Sequence, residues 1–328
     1  MVNIPDIVCD LKKKSEKKGE PIKNVYFIAC GGSLAGIYAG AYLLERESKA
    51  FRIGWYNASE FLLTTPKAFD ENSLCICSTL KGTPEVEEAI RFCKENGAYT
   101  VAICGEGNEN TTKYADYVIR FESIGEVTTP MMKTNVTLSL WLSFELLKQF
   151  EAYPYYDDAC RAFEVLEEMA EKIRKYVNRG RTQEFARTHK NEDVIYVMAG
   201  APSMGVAYAT SICSLMEIQW IHSPTVNSAE FFHGPFETLD KNLPIVHLIS
   251  DGRSRAEDIR CQNFMKKFGE KITVIDAKEL GIDILGDHVK EYFNHVLLDC
   301  AWREYLTALA IERKHPKETR RYMWKMEY

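Results

Sequence analysis

The 328-residue sequence predicts an α/β protein made of two tandem units, each a five-stranded parallel sheet flanked by helices. Three observations predict it. Short, almost wholly apolar runs rich in β-branched and aromatic residues alternate with longer segments of helical spacing, as in parallel sheets covered on both faces. The chain exceeds the usual length of one domain, so two cores are expected. The second half also repeats the first: VYFIACGGS at 25–33 aligns with IYVMAGAPS at 195–203 at an offset of 170, with Tyr26/Tyr196, Ala29/Ala199, Ser33/Ser203 and Ala39/Ala209 coinciding. Duplication of one α/β unit is the economical account, and chance matching of two strand–turn–helix segments is the alternative.

Taken in order, strands are expected over 24–30 (NVYFIAC), 51–56, 73–79 (SLCICST), 99–104 and 117–121, with helical spacing over 34–46 and 84–95. After Pro130 come two long helical patterns, 134–150 and 159–176, and the strand rhythm resumes at Asp193. That places a first domain over 1–155, a helical connector over 156–180 and a second domain over 181–328. The second set of strands is expected over 193–199, 218–221, 244–249, 271–275 and 294–298.

Composition narrows the class. Apolar residues are 46% and charged residues 27%, an ordinary globular balance that argues against disorder. A net charge of −6 argues against a nucleic-acid partner. The Lys/Arg runs at 12–18 (KKKSEKK) and 314–321 contain acids and read as solvated surface. Ten cysteines include no pair of CxxC motifs, so no metal is expected, and Cys75 and Cys77 read as small hydrophobes of a buried strand. The start lacks a signal-type apolar segment and no stretch nears the ~20 apolar residues of a membrane span, so a cytoplasmic, membrane-free protein is expected.

Two loops of the first half follow a buried strand and open a helix: CGGS at 30–33, with Gly32 and Ser33, and STLKGT at 78–83, with Ser78, Thr79 and Thr83. Ligands of open α/β sheets sit at the carboxyl ends of the strands. Glycines let backbone N–H groups approach an anion, and a helix start offers free donors. Thr83-Pro-Glu85 reads equally as a plain helix cap with proline in the first turn. Neither loop has the GxGxxG or GxxxxGK[ST] spacing, so a small phosphomonoester fits better than a nucleotide.

These two loops, together with AEFFHGP at 229–235, resemble the sugar isomerase (SIS) domain family, and the layout over nearly the whole chain resembles the isomerase half of glucosamine-6-phosphate synthase. The fold implied is two tandem SIS domains. No counterpart of the synthase's glutaminase domain precedes the first strand, so ammonia delivery is not expected. The ending RRYMWKMEY at 320–328 and the EFFHGP variant are similar to the fructoselysine 6-phosphate deglycases. The resemblance implies a sugar-phosphate substrate held by the Ser33 loop with Ser78, Thr79 and Thr83. It implies an acid/base glutamate sixteen positions before the histidine of HGP, which here is Glu217 before His233. It further implies a histidine shared across a homodimer or larger homo-oligomer. Departures are Leu80 and Lys81 in place of a serine and a glycine, and Ser214 in place of an upstream lysine; Lys325 is the nearest match to a lysine near the C-terminus.

The chemistry implied is hydrolysis of a fructosamine 6-phosphate, such as fructoselysine 6-phosphate, to glucose 6-phosphate and a free amine, with no cofactor. Glu217 moves a proton between C1 and C2, and His233 opens the sugar ring. An aldose–ketose isomerase, an aminosugar-phosphate deaminase and a non-catalytic sugar-phosphate sensor are the alternatives. By itself Glu217 could be a helix-end carboxylate facing solvent, and His233 a partly buried packing residue. Glu230 and Glu237 could orient His233 or simply face water.

Overall fold

The computed structural model describes residues 3–122 and 126–327, and the chain divides into two compact units, Met1–Glu164 and Val165–Tyr328. The division falls inside the connector expected over 156–180.

The first unit opens on a helix that the lysine run conceals. In α1 (Ile4–Lys18) the residues Ile4, Ile7, Val8 and Leu11 recur at helical spacing and are buried. Lysines on the other face reach backbone acceptors: Lys12 Nζ donates to Gln149 O and Lys18 Nζ to Glu71 O, each at 2.7 Å. Then follow β1 (Asn24–Ala29), α2 (Gly31–Gly36), α3 (Tyr38–Glu47), β2 (Arg52–Asn57), α4 (Ala58–Leu63), β3 (Leu74–Thr79), α5 (Pro84–Glu95), β4 (Tyr99–Cys104), α6 (Glu109–Lys113) and β5 (Tyr117–Arg120). The five strands form one parallel sheet in the order β2-β1-β3-β4-β5. Every residue of β1 and β3 is buried, which is why their sequences run apolar without alternation. Tyr26, Ile28, Cys75, Cys77, Ala102 and Cys104 share a core with Phe61 of α4 and with Val86, Ala89, Ile90 and Cys93 of α5.

Beyond β5 the chain forms α7 (Asn135–Glu151), which packs against α1 and α3, and α8 (Tyr156–Glu164). The contact with α3 explains two glycines of the CGGSLAGIYAG stretch. A Cβ on Gly36 would lie 2.0 Å from Asn135 Nδ2, and one on Gly40 would lie 2.6 Å from the Ser139 carbonyl oxygen. Both serve helix packing; the turn into α2 is made by Gly31, whose φ is +52°.

The second unit contains α9 (Leu166–Val177), α10 (Arg181–His189), β6 (Tyr196–Ala199), α11 (Met204–Ala209), a π-helix (Thr210–Ile218), β7 (Thr225–Asn227), β8 (Ile245–Ile249), α12 (Arg255–Phe268), β9 (Ile272–Asp276) and α13 (Lys290–Glu312). Its parallel sheet has four strands in the order β7-β6-β8-β9, so the expected fifth strand is a correction. Residues 294–298 lie inside α13, a 23-residue helix buried on nearly every face. An apolar run buried all round has neither period, and its length alone cannot separate strand from helix. Residues 218–221 are the end of the π-helix and a turn at Trp220, whose φ is +57°. The strand that borders β6 instead lies a few residues later, preceded by an isolated bridge between Val194 and His222. Among the described residues no helix is long and apolar enough to cross a membrane.

Candidate active site

In the first unit the connections leave β1 toward β2 on one side and β3 on the other, so the sheet's switch point lies between β1 and β3. Ala29 pairs with Ser78 there, at the carboxyl ends of the two strands. The CGGS and STLKGT loops both start from this point, the usual ligand position of such sheets.

Within the second loop the hydroxyls divide their work. Thr79 Oγ1 accepts from Gly82 N at 3.1 Å and Thr83 N at 2.9 Å and donates to Thr83 Oγ1 at 3.2 Å. Its single proton is therefore spent, and Thr79 shapes the loop. Thr83 Oγ1, the acceptor of that bond, keeps its own proton to give; its side chain caps no amide of α5. Ser78 Oγ is wholly buried with no hydrogen-bond partner among the described residues. A buried hydroxyl without a partner costs about 1–3 kcal/mol, which an anionic acceptor would relieve. Ser33 is buried in the first turn of α2, beside Gly32. Cys30, at the same strand end, is no nucleophile: burial pushes its thiol up. Gly82, with φ +75°, turns the loop beside Glu87, whose Oε1 lies 2.5 Å from where a Cβ would be.

Glu217, in the second unit, sits near the end of the π-helix. Its side chain is 25% exposed, and its Oε1 accepts from Arg320 Nε at 2.9 Å and pairs with Arg320 Nη2 at 2.8 Å. The π-helix is fastened from behind, where Trp302 Nε1 of α13 donates to Ser214 Oγ at 3.0 Å. His233 ends a 3₁₀ segment, Ser228–His233, that starts with the Asn227 side chain accepting from Ala229 N at 2.9 Å. Phe231 is buried, and the rings of Phe231, Phe232, Phe236 and Phe264 pack on one another. Those aromatics anchor the EFFHGP loop while His233 itself is exposed. Glu230 and Glu237 are exposed as well. Among the described residues no hydrogen bond or ion pair joins Glu217 to His233. Lys325 Nζ donates to the carbonyl oxygen of Arg320. Tyr328, the last residue of the family-like ending, lies outside the described residues.

Known proteins match this arrangement along its length. A family model described as SIS domain matches residues 20–145. The fructosamine deglycase FrlB of Bacillus subtilis is 37% identical over 95% of this chain and 94% of that one. The chain belongs to the SIS domain family. A fructoselysine 6-phosphate deglycase of Escherichia coli is 27% identical over 92% of this SIS chain and 85% of its own. The solved structure of a proposed phosphosugar isomerase from Salmonella typhimurium, at 36% identity, covers 100% of both chains with a TM-score of 0.94.

The second sheet of this SIS chain has its own switch point, between β6 and β8, and it is filled from within. Asp258, in the first turn of α12 and wholly buried, accepts from Ser228 Oγ at 2.5 Å and from Ser250 N at 3.0 Å. Its carboxyl oxygens stand 3.0 and 3.1 Å from where a Cβ on Gly200 would be. Ser203, the partner of Ser33 in the repeat, is tied to Ser250 by a 2.7 Å hydroxyl–hydroxyl bond. Sequence reading singled out neither Asp258 nor Arg320; the ending that contains Arg320 marked the family without assigning it a task.

Proposed function

We propose that the chain is a deglycase that converts a fructosamine 6-phosphate and water to glucose 6-phosphate and a free amine. We read the second unit as a second, diverged SIS domain, from the 2-1-3-4 strand order common to both sheets. The observation that carries the catalytic reading is Glu217: a three-quarters covered carboxylate, held at one oxygen, in a chain similar along its length to a fructosamine deglycase.

Ser33, Ser78 and Thr83 hold the sugar phosphate, and the anchored phosphate keeps the open chain in place for one base. His233 shuttles a proton from the anomeric hydroxyl to the ring oxygen and opens the ring. Glu217 then removes a proton from C1. The C–H electron pair becomes the C1–C2 double bond, and the carbonyl π pair moves to O2, which takes a proton from solvent. Glu217 returns its proton at C2, leaving a protonated imine between C1 and nitrogen. Water adds at C1, the C–N bond breaks, and the amine leaves with glucose 6-phosphate as the aldehyde. The exposure of His233, on a loop braced by aromatic rings, supports its serving a neighbouring copy of the chain.

Glucose 6-phosphate release from fructoselysine 6-phosphate and other fructosamine 6-phosphates tests the reading. Turnover in D2O is expected to place deuterium at C2 of the product in the fraction of turnovers in which the proton held by Glu217 exchanges with solvent before its return, and to release one amine per hexose phosphate. The likeness to a proposed phosphosugar isomerase favours a second reading, aldose–ketose isomerisation, in which a hexose phosphate turns over and no amine appears. No glucose 6-phosphate from any fructosamine 6-phosphate sinks the deglycase reading.

A further inference from the structure

Arg320 is the hydrogen-bond and ion-pair partner of the candidate base Glu217. An arginine usually meets a carboxylate fork to fork, one N–H to each oxygen. Here Nε at 2.9 Å and Nη2 at 2.8 Å converge on the same oxygen, Oε1 of Glu217. Among the described residues no hydrogen bond is made to Oε2. We propose that Arg320 is the positioning residue of the proton-transferring glutamate, pinning Oε1 so that Oε2 alone takes the proton from C1 and returns it at C2. The inference rests on the reading of Glu217 as that base.

The surroundings favour a purpose beyond fastening the tail. Arg320 is 11% exposed and is itself held, with Nη1 donating to Lys317 O at 2.7 Å and to Thr319 O at 2.9 Å and with the Trp324 ring 5.4 Å away. Lys325 adds its bond to the Arg320 carbonyl, which gives that expected site residue a supporting part. The tail is also tied to the segment just after Glu217: Gln219 Nε2 donates to His315 O at 3.1 Å, His315 packs edge-on against Trp220 at 4.5 Å, and the Arg321 guanidinium lies 4.3 Å above Trp220. These contacts hold the tail without Arg320, so an ion pair at Glu217 is not needed for attachment. A carboxylate that must reach two adjacent carbons in turn gains from a fixed axis, because small misplacements of a reacting group cost rate steeply.

The test compares wild type with R320A, R320K and E217Q on fructosamine 6-phosphate turnover. R320A is expected to lose kcat on the order of 10²-fold, with KM held within about threefold because substrate binding is untouched. Millimolar guanidinium is expected to restore part of that kcat. R320K, whose ammonium is a point charge without a two-donor fork, is expected to fall between the two, and it keeps the comparison open should R320A fold poorly. Wild-type kcat in R320A, or a loss confined to KM or indifferent to guanidinium, overturns the proposal. Full turnover in E217Q removes the base assignment instead, so the two failures are told apart.

Discussion

Ser78 and Thr79 are adjacent, equally buried hydroxyls with opposite roles. Thr79 is consumed by three bonds inside its own loop, whereas Ser78 Oγ has none. Removing the Ser78 hydroxyl deletes a buried polar atom that nothing satisfies in the free protein, so S78A is expected to be neutral or stabilised by up to about 1 kcal/mol in thermal unfolding. The same change removes a donor to a charged ligand, and KM for the sugar phosphate is expected to rise about tenfold or more. A fall in stability with unchanged KM contradicts the phosphate role. Sequence reading could mark both residues because the loop is contiguous, but their division of labour depends on which backbone amides fold back onto Thr79. Glu217 and His233 were singled out through the family resemblance, which implies a glutamate sixteen positions before the histidine of HGP. Arg320 was not, since it lies 103 positions from its partner and no local pattern links them.

At the scale of elements, strands buried on both faces and amphipathic helices were readable, and the misreadings occur where neither pattern holds. The segment 218–221 has apolar residues in a short run, yet it is the end of a π-helix, whose five-residue hydrogen-bond step leaves no familiar period, and a turn at Trp220. In α13 burial on nearly every face erased the helical stripe. That burial has a consequence for acid stability. His295 of α13 is 1% exposed, and its pKa is pushed down to about 4 by burial, with Arg303 lowering it and Asp299 raising it. The unfolded chain binds that proton near the ordinary 6.5. Stability is therefore complete above about pH 6.5 and falls as the pH drops toward 4, by on the order of 3 kcal/mol from this group. Denaturant unfolding at several pH values checks it: H295Q is expected to flatten the slope in that window, and an unchanged slope contradicts the assignment.

At the scale of the whole molecule, the proposed shared site predicts complementation. E217Q and H233A are each expected to lose nearly all turnover. Mixed and reassembled, they are expected to regain part of it, because a site using Glu217 of one copy and His233 of another can then form with both groups intact. No recovery from a mixture whose subunits have demonstrably exchanged confines both residues to one chain. The likeness of the two strand–turn–helix segments was legible in the sequence, while the difference between their surroundings was not. Ser33 and Ser203 align in the repeat, but only the three-dimensional neighbourhood distinguishes a hydroxyl near a strand end from one locked to Ser250.

Asp258 gives that difference its meaning. The second sheet still has a serine hydroxyl and a backbone amide converging on its switch point, and what they grip is an acidic group of the chain itself. On the reading of the second unit as a diverged SIS domain, its cradle acts as a self-liganded module, with a carboxyl group of the chain in place of an exchangeable ligand. A cradle closed in this way competes for no sugar phosphate and needs no guest to settle its buried donors. On the proposed reading, that unit then presents reacting groups rather than a phosphate site.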